Sequence, residues 1–377
     1  MGGYRAFFPT PLPPVPPIRM NQLLIRLHSE AERCLAGLDS ATDLLPEPDR
    51  FVYSYVRREA VLSSQIEGTQ SSLDDLVRRE AGITDPSRPG DVQEVSNYVR
   101  ALNNTMSTLP TLPVSTRLLR AMHQDLMRGV RGGDRTPGEF RRHQVHIGPV
   151  GVSVADAVFV PPPPDEVEEA MAALERYLNH ASADVQDEGD LPLIRIGLAH
   201  AQFETIHPFA DGNGRCGRLL ISLLLAETGL LRRPVLYLSA FFRQHRAEYY
   251  ERLQATRDTG DLEGWLAFFL RGVAVVAADA RDRARRIVAL REEHRTLIIE
   301  HLPNSASNGF RLLDRLFRVP YFNVSAVAED LGVNFSTANT LIDTLERIGI
   351  VREGTGRARN RVFIYQPYID IFSGDGA

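Results

Sequence analysis

Two stretches that are apolar almost all round, residues 191–206 and 219–225, flank a polar segment that runs His207-Pro208-Phe209-Ala210-Asp211-Gly212-Asn213-Gly214-Arg215-Cys216-Gly217-Arg218. A helix that is apolar on every side is normally buried, so the polar segment must be a tight connection pinned between two core elements. Pro208 discourages the first helix from continuing past His207. Asp211 to Gly214 is turn chemistry. The chain is thereby committed to helix, short loop, helix.

The side chains in that loop share one chemistry. Gly212 and Gly214 let the backbone take positive φ and come close to a ligand, and the bare N–H groups of a new helix can face an anion. Arg215 and Arg218 are three apart and share a helix face. Both fall in the first turn, where the helix dipole disfavours cations. Two arginines there make sense if a polyphosphate neutralises them, and guanidinium groups match phosphate oxygens bidentately. Asp211 is a hard oxygen ligand suited to Mg²⁺ between phosphates. His207 can accept a proton near neutral pH.

The sequence contains no lysine; all 43 of its basic residues are arginine. A Walker A loop, a protein-kinase strand and a Schiff-base enzyme each need a lysine. An arginine-based phosphate site stays open.

Residues 207–218 resemble the signature of the Fic family, His-x-Phe-x-Asp/Glu-Gly-Asn-Gly/Lys-Arg-x-x-Arg, and meet it at every fixed position. The resemblance implies transfer of AMP from ATP to a Ser, Thr or Tyr hydroxyl of a protein, this chain included. It assigns deprotonation of the incoming hydroxyl to His207 and Mg²⁺ to Asp211. Gly212, Asn213 and Gly214 would hold the α-phosphate region, and Arg215 and Arg218 the β- and γ-phosphates. Lysine in place of Gly214 goes with a kinase-like branch, so Gly214 favours AMP. Tyr249 and Tyr250 look family-like and would line the adenine side.

A second segment opposes the first. Ser63-Ser64-Gln65-Ile66-Glu67-Gly68 ends a helical stretch, residues 57–70, at Gly68, a favoured stop. Ser63 and Glu67 are four apart on one face. Glu67 lies in a last turn, where the dipole disfavours a carboxylate, so pairing it with Arg218 relieves both. Ser63, Glu67 and Gly68 match the family's inhibitory pattern, Ser/Thr-x-x-x-Glu-Gly/Asn, and the resemblance makes that pairing autoinhibition by an N-terminal helix.

Val145-His146-Ile147-Gly148, followed by residues 150–154 and the Phe159-Val160-Pro161-Pro162-Pro163-Pro164 run, suggests a short hairpin. It resembles the family's flap, which pairs with an extended target segment by strand addition.

The expected fold is mainly α: a Fic-type helical core with a short β-hairpin flap, plus a C-terminal winged-helix domain. Residues 1–19 form an extended proline-rich arm, and 20–109 a helical region with the inhibitory helix. Residues 110–272 form the catalytic core, 273–305 a connecting helix and linker, and 306–377 the winged helix. In the last, Thr337, Asn339 and Thr340 face outward on the second helix, with Arg352, Arg357, Arg359 and Arg361 on the wing, the geometry of a groove reader. Eight arginines against six acids over residues 310–366 make a weak basic footprint. The competing reading is a DNA-binding regulator whose nucleotide site is a sensor. A homodimer would suit a chain with an inhibitory helix. No run is apolar enough to span a membrane, and no basic stretch followed by an apolar one marks a secretory signal. The expectation is a cytoplasmic protein. Cys34 and Cys216 are the only cysteines, too few for a disulfide framework.

Overall fold

The structure, a computed structural model, describes residues 4–45, 48–73, 75–76, 89–130, 132–148, 151–180, 191–356 and 361–373. The chain forms two units. The first takes in 1–39, 55–71 and 88–278, and the second 40–54, 72–87 and 279–377.

The first unit is helical. Its elements are α1 (Gln22–Asp43), α2 (Pro48–Ile66), α3 (Pro89–Thr108), α4 (Thr116–Leu126), α5 (Val167–His180), α6 (Pro192–Ile206), α7 (Asn213–Glu227), α8 (Ser239–Gln244), α9 (Arg246–Asp258) and α10 (Leu262–His301), of which α1, α2 and α10 also extend into the second unit. α6 and α7 are the apolar stretches read from the sequence, and they pack on each other. α6 starts on Pro192, whose missing N–H costs nothing in a first turn. It stops at His207, in the left-handed region at φ 51. Leu193, Ile196, Phe203 and Ile206 are buried, as are Leu219, Leu220 and Leu223 of α7. α10 crosses α6 at Gly197, where an added Cβ would lie 2.9 Å from Leu266 and 3.0 Å from Phe269. The Trp265 indole N–H donates to the Gly197 carbonyl at 2.8 Å.

Two expectations change. The flap is not a regular hairpin: Ile147 and Phe159 form a single antiparallel bridge, with bonds of 2.8 and 3.1 Å in the two directions. The prolines at 161–164 lack the N–H groups a ladder needs. The connecting helix has no start near 273, because α10 runs unbroken over forty residues. The next helix is α11 (Ala306–Leu316).

The N-terminal arm is pinned to the first unit. Phe7 N–H donates to Val160 O at 2.9 Å, and Gln202 Nε2 to Thr10 O at 2.9 Å.

In the second unit α11 leads to β1 (Tyr321–Phe322), α12 (Val324–Leu331), α13 (Phe335–Arg347), β2 (Arg352–Glu353), β3 (Phe363–Ile364) and α14 (Gln366–Ser373). The strands form one antiparallel sheet in the order β1-β3-β2. Asn323 and Asn334 cap α12 and α13 by accepting from the N–H of Ala326 and Thr337, a preferred use of asparagine. Thr337 and Thr340 are exposed and Asn339 half-buried. Arg361 donates to Asn339 (2.9 Å) and to Asp343 (3.2 Å), and Arg352 to Gln366 (2.7 Å). Arg357 and Arg359 lie outside the described residues. Among the described residues no helix is long and apolar enough to cross a membrane.

Candidate active site

The loop between α6 and α7 is held from three sides. Asn213 closes it: its Oδ1 accepts from Phe209 N–H (2.9 Å) and its Nδ2 donates to Phe209 O (2.8 Å). Both ends of the asparagine side chain therefore hold the loop's shape. His123 of α4 closes it from below. Its Nδ1 accepts from the Gly138 N–H at 2.8 Å, which places the ring proton on Nε2, and Nε2 donates to Asp211 O at 3.0 Å. The ring stacks on Phe209 with centroids 3.8 Å apart. Burial pushes His123 down to about 4, so the ring stays neutral and keeps that tautomer. Arg141 closes it from the α6 end, donating to His207 O (2.9 Å) and Pro162 O (2.6 Å). A cation suits a helix C-terminus; burial lowers Arg141 only to about 10.

His207 is half-buried. Desolvation pushes its imidazole down to about 4, with Arg257 and Arg141 adding to the effect, while Glu204 O and the Glu67 carboxylate oppose it. Its buried Nδ1 makes no well-formed hydrogen bond. The ring is a neutral proton acceptor at physiological pH.

Gly212 takes φ 76 and offers no side chain to cap α7. Gly214 is helical instead of left-handed, so positive φ is not its reason. A Cβ there would collide with Glu67 Oε1 and lie 3.0 Å from an Arg218 terminal nitrogen. Glu67 thus rests its carboxylate against the first turn of α7, where a helix binds anions. Arg218 NH2 donates to Glu67 Oε1 (2.8 Å) and Ser63 O (3.0 Å), and its Nε to Ser63 Oγ (2.8 Å). Burial raises the Glu67 carboxyl, but Arg218, then Arg215 and His207, bring it below its ordinary value. α2 ends at Ile66, and Gly68 makes the stop at φ 98.

Arg215 does not join Arg218. It pairs with Glu94 of α3 at 3.1 Å, and among the described residues its buried Nε has no hydrogen-bond partner. Asp211 Oδ1 accepts from the Gly212 N–H at 2.7 Å. A Cβ on Gly132 would lie 2.6 Å from Asp211 Oδ2, so glycine leaves that oxygen room. Among the described residues no group of three or more acidic, His or Cys side chains is arranged to hold a metal.

Tyr249 belongs to the core. It is buried with Phe242 and Trp265, and its hydroxyl meets His200 Nε2 at 2.9 Å. A ring so enclosed cannot line an adenine pocket. Tyr250 is 42 % exposed beside Arg246. Val145, His146, Ile147 and Gly148 line the flap bridge and do not touch His207 by any described hydrogen bond.

Several further participants reach the site from remote segments. Glu59 of α2 is fully buried and accepts from the Ser239 hydroxyl and N–H and from the Tyr98 hydroxyl at 3.0 Å. Burial pushes it up to about 7. Glu204, buried on α6, is also pushed up to about 7. Glu94, His123 and Tyr98 are recognisable only when remote segments meet.

The site is thus a bare helix start that carries the Glu67 carboxylate, with the buried Arg215 and Arg218 guanidinium groups on the same helix and the His207 imidazole at the end of α6. Residues 25–107 match the Fic/DOC family N-terminal domain and residues 113–225 the Fic/DOC family domain. Together these span just over half of the chain, which belongs to the Fic/DOC family. The protein adenylyltransferase Fic of Aedes aegypti is 36 % identical over 131 residues, 35 % of this chain and 22 % of its own length. The chain thus spans about a fifth of the curated relatives it matches. The crystal structure of a Fic family protein from Desulfovibrio desulfuricans G20 is 21 % identical, covering 93 % of this chain and 97 % of that one with a TM-score of 0.58; it speaks for the fold. Fic-1 from C. elegans is 25 % identical over 70 % of each chain, with a TM-score of 0.52.

Proposed function

We propose that this chain transfers AMP from ATP to a hydroxyl of a protein and that Glu67 holds the activity in check. The observation that carries the reading is the Glu67 carboxylate, which rests on the first turn of α7 and is gripped by Arg218. It is an anion in the place where a triphosphate would rest.

With Glu67 withdrawn, Arg218 and the α7 amides are left to bind phosphate oxygens. The unpartnered Nε of Arg215 is a further donor. His207, neutral at pH 7, takes the proton of the attacking hydroxyl as general base. The charge that develops on the phosphates is stabilised by donors fixed in advance, and positioning supplies most of the rest. Asp211 suits Mg²⁺: one oxygen is anchored to the loop and the other faces the space beside Gly132. Phosphate oxygens would complete the shell, as is usual for this ion. The chemistry Mg²⁺ supplies when bound is neutralisation of charge between phosphates. The edge around the Ile147–Phe159 bridge would present an extended target by backbone pairing. The presence of the adenylyltransferase relatives supports AMP as the group moved.

The test is transfer from α-labelled ATP with Mg²⁺, comparing Glu67→Gly with Glu67→Gly/His207→Ala. We expect label on protein in the first and a loss of about 10²–10⁴-fold in the second. Absence of label in Glu67→Gly, or its persistence without His207, overturns the reading.

A further inference from the structure

The arm that precedes α1 lies on the edge where a target segment would pair. Phe7 donates its N–H to the Val160 carbonyl (2.9 Å) and sets its ring 5.8 Å from that of Phe159, the residue that bridges to Ile147. Upstream, the Tyr4 hydroxyl reaches the Gln144 side chain at 3.3 Å. Gln144 donates to the next carbonyl, Pro161 O, at 2.9 Å. Arg141 donates to the one after, Pro162 O, and to His207 O. Three successive carbonyls, 160 to 162, therefore hold Phe7, Gln144 and Arg141 in a row that ends at the proposed base. The Arg141 guanidinium is also close enough to the Tyr4 phenol for the two to interact electrostatically.

The arm offers few alternatives. Between residues 4 and 21 only Tyr4 and Thr10 carry hydroxyls. Thr10 sits against α6, its carbonyl taking the Gln202 amide. Tyr4 is 45 % exposed and lies three residues upstream of the anchor at Phe7.

We propose that Tyr4 is an AMP acceptor within its own chain, presented to the site by an arm that docks on the flap edge as an intramolecular target. The inference rests on the adenylyl-transfer reading and adds the residue modified. Tyr4 Oη forms a bond to the α-phosphorus of ATP, the bond from that phosphorus to the oxygen bridging the β-phosphate breaks, and pyrophosphate leaves. The phenol proton goes to His207, while the Arg141 charge faces the oxygen that turns anionic during attack. Tethering replaces an encounter in solution, so the reaction is first order in the chain.

The experiment uses the full-length Glu67→Gly chain with ATP and Mg²⁺, site mapping by mass spectrometry and initial rates at several protein concentrations. The expected result is AMP on Tyr4, formed at a rate constant independent of protein concentration, and loss of most early label in Glu67→Gly/Tyr4→Phe. AMP mapped only to other residues, with Tyr4→Phe labelled as well as its parent, overturns the inference and leaves adenylyl transfer standing. A rate constant that grows with protein concentration overturns docking within the chain. No label in any variant overturns both readings.

Discussion

Glu67 and Arg218 each sit at the wrong end of a helix for their charge, and each is tolerable because of the other. Arg218 is buried, and Glu67 keeps 34 % of its side chain exposed. Removing one partner of a buried pair strands the other, but here Ser63 still holds the guanidinium and solvent reaches the carboxylate, which reduces the cost. Glu67→Gly should therefore lose about 1–3 kcal/mol in urea unfolding without nucleotide, and ATP should restore part of it by binding only the folded chain. A variant as stable as its parent, with no response to ATP, would show that the pair carries nothing. His207 makes a kinetic prediction. Its value of about 4 puts the acid limb of kcat/KM, which reports the free enzyme, well below the ordinary 6.5 of histidine. In the Glu67→Gly background the carboxylate that raises the ring is gone, so the limb stays at or under pH 4. Arg257→Gln in that background moves it upward. A limb at 6.5 in both would mean the ring is not desolvated. At this scale the sequence was legible for charge and poor for direction. The pairing of Glu67 with Arg218 could be read from two dipoles. That Asn213 folds back on Phe209 depends on how the loop closes, while the turn of Arg215 to Glu94 and of Tyr249 to the core depends on partners far away in the chain.

The inhibitory helix is anchored as an element, not by its last residue alone. Glu59, Ser63 and Glu67 recur every four residues along one face of α2 and its extension. Glu59 meets Ser239 and Tyr98, and Ser63 meets Arg218. Tyr98→Phe removes one of these bonds and leaves a buried acceptor with one donor fewer. We expect it to raise AMP transfer above wild type but below Glu67→Gly, with no further gain when the two are combined. Equal transfer in Tyr98→Phe and wild type would make the anchor irrelevant to inhibition. Glu59 also ties α2 to pH. Its folded value of about 7 lies above the 4.5 of a free carboxyl, so the folded chain keeps a proton that the unfolded chain sheds. Its contribution is full below about pH 4.5 and is lost as pH rises through 7. Stability measured at pH 6 and 8 should fall less in Glu59→Gln than in wild type. Elements with a strong apolar run were readable, α6 nearly to the residue and α7 in its middle, 219–225 of Asn213–Glu227. The flap was not, because alternation suggested strands while the prolines that bound it cannot donate to a ladder.

For the molecule as a whole, α2 belongs to both units: residues 48–54 to the second and 55–66 to the first. Within the second unit, the Ser54 hydroxyl meets that of Tyr368 at 2.7 Å, and Phe51 lies 6.5 Å from Phe372. The start of α2, the helix that leads to Glu67, is thus packed by α14 within the second unit. Ser54→Ala with Phe372→Ala should loosen the start of α2 and raise AMP transfer, and labelling unchanged from wild type would uncouple α14 from inhibition. Nothing local in the sequence announced this, since residues 51 and 372 stand more than three hundred positions apart. The order helix, turn, helix, strand, strand over residues 324–365 follows the turn glycines Gly332, Gly349 and Gly354.

Calorimetry of ATP and ADP binding to wild type and Glu67→Gly tests most directly whether Glu67 and the terminal phosphate want the same guanidinium. With Arg218 occupied, the two nucleotides should bind wild type alike. Freed, it should add a charge-assisted bond worth about 1.5–3 kcal/mol to ATP alone, a preference over ADP of roughly 10–100-fold. The same ATP-to-ADP ratio in both chains would contradict it.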